Sequence, residues 1–212
     1  MSSSVEARLE SRLERYRAFD AVNRPYLEWQ LAAFRPFLGQ RVLEVGCGVG
    51  SILELLAPRE RLFGIDVEPE VLDFARARFN GEPGFGFERM DAGRLDEAQA
   101  ERLRRERFDS LVCINVLEHI EDDPATLAAF HRILEPGGVA AILVPAHQWL
   151  YGPCDGLDGH FRRYSRAQFG DAFARLASGF CTCATSTWSA RWAGGSSTAC
   201  CAARSTAKAS SA

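Results

Sequence analysis

The chain has 212 residues, 47% of them apolar, with 25 Lys and Arg against 28 Asp and Glu for a net charge of −3. That apolar share suffices for one domain with attachments, and the charge balance gives no electrostatic argument for a nucleic-acid partner. With no run of 18 apolar residues, no charged-then-apolar leader and an odd count of seven cysteines, a cytoplasmic protein with reduced thiols and no transmembrane segment is expected.

In chain order, Val5, Leu9, Leu13 and Tyr16 recur at helical spacing among charged residues, which predicts an exposed amphipathic helix over residues 5–20. A second helical segment, Pro25 to Leu38, presents Tyr26, Trp29, Ala33, Phe34 and Phe37. Residues 1–38 are therefore read as N-terminal helices, either packed on the following domain or covering its pocket.

Val42-Leu43-Glu44-Val45 has buried-strand character and runs into Gly46-Cys47-Gly48-Val49-Gly50, after which Ser51 to Leu56 reads as a helix start. Glycines accept positive φ and let a ligand approach the main chain, and a helix N-terminus offers unpaired N–H groups. A small molecule is thus expected across this turn. The dinucleotide fingerprint needs a glycine where Ser51 stands, and a phosphate-binding loop needs a lysine that is missing. An oxidoreductase on a similar fold is disfavoured accordingly.

A second strand, Arg61 to Asp66, ends in a carboxylate 20 residues beyond Gly46, the separation at which a βαβ unit brings an acid to a ribose. Val67 follows it, and a helix through Val71, Leu72, Phe74 and Ala75 comes next. A third strand, Gly86 to Met90, delivers Asp91-Ala92, and the plain reading of Asp91 is the N-cap of the helix carrying Leu95 and Leu103. The fourth strand, Phe108 to Ile114, leads into Asn115-Val116-Leu117-Glu118-His119-Ile120. His119 is a candidate proton acceptor or a hydrogen-bonded structural residue. Asp122-Asp123-Pro124 caps a helix through Ile133, and Pro136-Gly137-Gly138 turns it into a fifth strand, Val139 to Val144. Strands alternating with helices predict a mostly parallel sheet with ligand contacts at the strand C-terminal ends.

Residues 145–164 form a long polar and aromatic loop that carries His147, Tyr151, His160, Arg162, Arg163 and Tyr164. Arg162 and Arg163 suit a carboxylate or phosphate of an acceptor, or pair with Asp155 or Asp158 and pin the loop. His147, His160 and Cys154 lack paired ligand spacing, so no metal site is read here. A helix from Ser165 to Ala177 follows.

From Cys181 onward 27 of 32 residues are Ala, Ser, Thr, Cys or Gly, without Leu, Ile, Val or Phe, and all 28 acidic residues precede this point. Such a tail has little to bury and is expected to be disordered or poorly packed. The chain before residue 180 contains no lysine, as in coding sequences rich in G and C, and a shifted reading frame in such DNA yields this kind of tail. Cys181-x-Cys183 with Cys200-Cys201 has no histidine or carboxylate support as a metal site.

The pattern Glu44-x-Gly46-x-Gly48-x-Gly50, with Asp66 and the Leu117-Glu118-His119-Ile120 run, resembles the class I S-adenosylmethionine-dependent methyltransferases, in their small-molecule (type 11/12-like) branch. The resemblance covers about residues 24–180. It implies an α/β Rossmann-like fold, a mostly parallel sheet flanked by helices, whose two C-terminal strands this chain leaves missing or replaced. It further implies three regions: a lid or cap over residues 1–38, the S-adenosylmethionine-binding domain over 39–180 with the acceptor loop 145–164, and the low-complexity tail 181–212. Glu44 would lie near the cofactor's amino group, Gly46, Cys47, Gly48 and Gly50 along its methionine half, Asp66 and Val67 at the ribose, Asp91 and Ala92 at the adenine, and Asn115 beside the methyl. His119 or His160 would act as base for a hydroxyl acceptor, with Tyr151, His160, Arg162, Arg163 and Tyr164 on the acceptor side. The acceptor is expected to be a small molecule, anionic or lipid-linked parts being options, and its O, C or N atom is left open. The alternative is a non-catalytic cofactor-binding protein from a truncated or frameshifted gene.

Overall fold

The structure, a computed structural model, describes residue 18, residues 22–165 and 167–168, and the backbone of 181–186 and 198–204. The predicted helix over 5–20 and most of that from Ser165 to Ala177 fall outside the described residues. Five parallel strands come first: β1 (Arg41–Val45), β2 (Arg61–Asp66), β3 (Phe85–Arg89), β4 (Ser110–Ile114) and β5 (Val139–Pro145). Helices α1 (22–32), α2 (Ser51–Leu56), α3 (Pro69–Arg78), α4 (Glu97–Arg105), α5 (Asp123–Ile133) and the short α6 (Pro153–Leu157) accompany them.

The strands are apolar on both faces, as covered parallel strands must be. Leu43 and Val45 of β1, Leu111 and Cys113 of β4 and Ala140, Ile142 and Val144 of β5 enter one core with Leu127, Phe130 and Ile133 of α5. The alternate residues Val42, Val112, Ala141 and Leu143 enter the other core with Leu31 and Phe34 of the N-terminal segment and Ile52, Leu53 and Leu56 of α2. Period-two alternation thus feeds two cores from the same strands.

The sheet has seven strands in the order β3-β2-β1-β4-β5-β7-β6. Where the last two strands were expected to be missing or replaced, two short strands rich in Cys, Ala and Thr stand. β6 (Cys181–Ser186) and β7 (Thr198–Arg204) pair with each other, and β7 runs antiparallel along β5 from Val139↔Arg204 to Pro145↔Thr198. A ladder is made by main-chain groups, so a strand of Cys, Thr and Ala satisfies the β5 edge without large side chains. Order reverses between β1 and β4, and a crevice outside the carboxyl ends of these strands is where an open α/β sheet takes its ligand.

Two local readings change. Asp91 caps the short 3-10 turn Ala92–Arg94 through the Gly93 amide, whereas α4 is capped by Asp96, whose carboxylate accepts the Gln99 amide while the Gln99 side chain returns the bond. The 145–164 loop is a compact unit closed by Ala146 against Tyr164 and braced by α6. Among the described residues no helix is long and apolar enough to cross a membrane.

Candidate active site

The turn after β1 is tied to the neighbouring strand by its own amides: Gly46 and Cys47 N–H both donate to the Ile65 carbonyl, at 2.8 and 3.1 Å. The chain then turns through Gly46, Gly48 and Gly50 with φ of 71°, 50° and 79°, all left-handed. The reasons for glycine differ along the turn. A Cβ at Gly46 would strike Val116, and one at Gly50 would come within 2.7 Å of Phe79, whereas a Cβ at Gly48 would meet nothing within 4 Å. Gly48 therefore borders open space, and its amide donates to Asp66 Oδ2 at 2.8 Å.

That space is a cavity of about 390 Å³ lined by Gly46, Cys47, Gly48, Glu44, Ile114 and Asn115 on the sheet side and by Asn23, Tyr26, Leu27 and Gln30 from α1. Within α1, Leu31 is packed in the core, while Tyr26 lines the cavity and remains 44% exposed. Glu44 is buried, and its Oε2 has no hydrogen-bond partner. Burial, helped by the nearby Asp66 charge and opposed by a backbone hydrogen bond from Leu53, holds the Glu44 carboxyl well above the usual range. Burial likewise raises the Cys47 thiol, with Glu44 and Asp66 adding to it, so Cys47 is a packing residue and no nucleophile.

Asp66 ends β2, its second oxygen accepting the Glu68 amide at 3.0 Å. Val67 beside it is 48% exposed, and its carbonyl accepts from Arg89. Asp91 is exposed after β3, with Ala92 buried behind it. Asn115 holds φ of 53° at the end of β4, its amide bound to the Leu143 carbonyl at 2.8 Å, and asparagine tolerates that conformation better than most side chains. All these residues stand at strand C-terminal ends, as expected.

One turn beyond Asn115 a second cluster forms. Glu118 is fully buried and neither carboxylate oxygen has a hydrogen-bond partner. Burial pushes its carboxyl up to about 7, outweighing the pull of its own amide and of Arg163. His119 and His160 meet edge to face with ring centroids 4.6 Å apart. Burial, then the His160 charge, lower the His119 pKa. His160 Nδ1 lies 3.0 Å from Asp155 Oδ1, and the buried Asp155 also accepts from Arg163 Nε at 2.7 Å, Arg163 Nη2 at 3.0 Å and the Gly152 amide at 2.9 Å. Those donors hold Asp155 ionised, far below the usual carboxylate range, so Nδ1 of His160 carries a proton toward it and Nε2 is left as the basic nitrogen.

The loop residues divide. Arg163 is spent on Asp155, and Arg162 forms an ion pair with Asp123 at 2.6 Å and donates to the Glu121 carbonyl, so both arginines pin the loop. Tyr164 is buried and donates to Asp123 at 2.9 Å, a structural place rather than an acceptor-facing one. Tyr151 remains partly exposed, with its hydroxyl on the His160 carbonyl at 2.7 Å. Sequence reasoning missed Glu118 as a site residue, a carboxylate between Leu117 and His119, and it missed Gln30 as a pocket residue, whereas Tyr26 lies in the segment read as a possible cover.

Comparisons with known proteins agree with this geometry. Residues 43–140 match the family model of a methyltransferase domain. The ubiquinone biosynthesis O-methyltransferase of Hahella chejuensis (strain KCTC 2396) is 36% identical over 101 residues, 47% of this chain and 40% of that protein. The protein of the same name from Paracidovorax citrulli (strain AAC00-1) is 31% identical over 126 residues, 58% of this chain and 50% of that one. The chain therefore spans half or less of the length of these relatives. Among solved structures, an S-adenosylmethionine-dependent methyltransferase from Mesorhizobium loti superposes with a TM-score of 0.66 at 18% identity, over 86% of this chain and 97% of its own. The N-methyltransferase NodS of Bradyrhizobium japonicum WM9, in complex with S-adenosyl-L-homocysteine, gives 0.62 at 20% identity, over 91% and 87%.

Proposed function

We propose that this chain, whose residues 43–140 match a methyltransferase domain, is a class I S-adenosylmethionine-dependent methyltransferase that transfers a methyl group from S-adenosylmethionine to an oxygen of a small-molecule acceptor seated between the glycine turn and the 145–164 loop. The observation that carries the cofactor half is Glu44: a buried carboxyl with an unpartnered oxygen, on the wall of the cavity that the glycine turn borders. An orphaned buried acceptor of that kind is costly unless a donor arrives, and the ammonium of a methionine moiety is such a donor. The open side of Gly48 and the cavity volume fit the same molecule.

When bound, the cofactor supplies a methyl group already activated on a sulfonium, so the protein's work is alignment and proton handling. Glu44 would hold the amino end, the amides of the glycine turn would border the methionine half, Asp66 with Val67 would take the ribose, and Asp91 with Ala92 the adenine. Asn115, fixed by its left-handed backbone, would lie beside the methyl. His160, oriented by Asp155, presents Nε2 to an acceptor hydroxyl, and His119, whose charged form burial disfavours, is the second nitrogen able to take the proton. The Ubiquinone biosynthesis name of the relatives supports an O-acceptor. Of an anionic and a lipid-linked acceptor, the exposed Tyr151 and Phe161 at the loop surface favour the lipid-linked one, because Arg162 and Arg163 are already paired.

Calorimetric titration with S-adenosylmethionine and, separately, NADH tests the reading, followed by transfer of a labelled methyl to a panel of phenols and other hydroxyl acceptors. Binding of the first ligand alone with methyl transfer to a hydroxyl is expected. Binding of NADH, or of neither, would overturn the cofactor assignment, and transfer only to amines would overturn the acceptor.

A further inference from the structure

In the antiparallel ladder of β6 and β7, Cys183 stands directly opposite Cys201. Across such a pair the Cα atoms lie about 4.5–5.5 Å apart, inside the window of about 4.4–6.8 Å that a disulfide requires. The other two cysteines of the hairpin have no such match: Cys181 faces Ala203 and Cys200 faces Ala184. Cys181 shares the face of Cys183 but is diagonal to Cys201, about 7–8 Å away, and Cys200 takes the opposite face because successive strand residues alternate. We propose that Cys183 and Cys201 are a redox-responsive pair, two thiols when the chain is reduced and an intrachain disulfide across the β6–β7 hairpin when it meets an oxidised low-molecular-weight disulfide.

The hairpin has little else to hold it. From Cys181 onward the chain has no Leu, Ile, Val or Phe, so β6 and β7 attach chiefly through their main-chain ladders, and a unit with so little apolar surface to bury is one that a covalent link can stabilise. The two strands also differ in attachment. Among the described residues β6 is the outer strand and pairs with β7 alone, whereas β7 pairs on both sides and sets Cys201 opposite Ile142 of β5. A bond from Cys183 to Cys201 therefore fastens the less attached strand to the one already seated on the sheet. The exchange balances: one of the two thiolates attacks a sulfur of the small disulfide, whose other half leaves and takes a proton, and the second cysteine then attacks the mixed disulfide and releases the remaining half as a thiol. The chain gives up two electrons and two protons, and the small disulfide gains them as two thiols. In a reducing compartment the pair stays open, and a rise in the oxidised fraction closes it.

The full chain is equilibrated in glutathione buffers from fully reduced to fully oxidised, alkylated, cut with trypsin and weighed by mass spectrometry. Cleavage after Arg175, Arg191 and Arg204 places Cys181 and Cys183 on one peptide and Cys200 and Cys201 on the next. A linked pair of these peptides is expected in oxidising buffer and absent in reducing buffer. The link should be lost in Cys183→Ser and in Cys201→Ser and kept in Cys181→Ser and Cys200→Ser. Because the bond closes a loop of roughly 15–20 residues, the oxidised protein should melt about 5–10 °C above the reduced one, a difference that Cys183→Ser abolishes. Each variant is also melted in reducing buffer, where it should match the reduced wild type, so loss of the link is separated from loss of fold, and Cys183→Ala decides if the serine variants do not fold. No linked pair, a link within either peptide, a link to the peptide carrying Cys154 or between two chains, or a link that survives Cys183→Ser overturns the proposal. So do thiols that resist oxidation until a chelator strips a metal from them.

Discussion

The carboxylate of Asp66 accepts the Gly48 amide at 2.8 Å, and through that bond the end of β2 holds the glycine turn that follows β1. The same residue carries the lone pairs proposed to meet the ribose, so it shapes the pocket and contacts its contents. Asp66→Ala should weaken S-adenosylmethionine binding by about ten- to a hundredfold, a loss of roughly 1.4–2.8 kcal/mol. Asp66→Asn keeps one acceptor for Gly48 and should lose less. Calorimetry on the pair checks this, and a wild-type affinity for the alanine variant would remove Asp66 from the site.

Gly46 and Gly48 share a left-handed backbone but differ in what surrounds them, and their alanine variants should differ in kind. At Gly46 a Cβ adds a collision with Val116 to the conformational strain, so Gly46→Ala should lower the melting temperature. At Gly48 only the strain of about 1–2 kcal/mol applies, and the new methyl points into open space. Gly48→Ala should therefore fold with the smaller loss while binding the cofactor less tightly. Equal melting temperatures, or unimpaired binding by Gly48→Ala, would contradict the picture of the turn.

Glu44 gives a pH signature. Its folded-state pKa is raised by burial above the unfolded value near 4.5, so between those two values the folded chain retains a proton that the unfolded chain has released. Stability contributed by the neutral carboxyl is fully present below about 4.5 and is lost as pH rises through the folded pKa. The melting temperature of the wild type relative to Glu44→Gln should accordingly fall with rising pH across that window. A cationic ligand favours the ionised form, so S-adenosylmethionine binding should release protons in the same range, measurable by calorimetry in buffers of different ionisation enthalpy. Binding without proton release would mean that no cation meets Glu44.

Much of this site could be read from the chain because its parts are local. Strand-glycine-helix order, the Gly46 to Asp66 spacing and the alternation of strands and helices place Glu44, Asp66, Asp91 and Asn115 at strand ends, and the sheet has them there. The Arg163–Asp155 pair was one of the two readings the loop allowed, but pairings between distant segments were not legible: Arg162 with Asp123 and Tyr164 with Asp123 turn residues that looked available to an acceptor into props of the loop. The hairpin strands were missed for a different reason: their residues carry no apolar alternation, and their place depends on the open edge of β5.

Asp155 is the centre of the loop, a buried carboxylate with donors from Arg163, Gly152 and His160. Asp155→Ala leaves the half-buried Arg163 guanidinium without its partner, and breaking a buried pair in this way costs about 3–5 kcal/mol. The loss should fall on the 145–164 loop while the glycine turn, held by its own strands, keeps its cofactor affinity. Limited proteolysis should then cut near residues 147–163, with methyl transfer abolished and S-adenosylmethionine binding within a few-fold of wild type. Loss of both together would show that the two halves of the site fold as one unit.

The β5–β7 ladder makes the last test. β5 pairs with β4 on one side and, over all seven of its residues, with β7 on the other. Removing residues 181–212 would leave a buried apolar strand, Val139 to Val144, with a free row of main-chain donors and acceptors, the arrangement that recruits another chain. The truncated protein should melt at a lower temperature and associate as its concentration rises, by light scattering, whereas the full chain should not. If it stays monomeric with an unchanged melting temperature, the hairpin contributes nothing to the sheet, and the parallel strands alone account for the stability of the cofactor pocket.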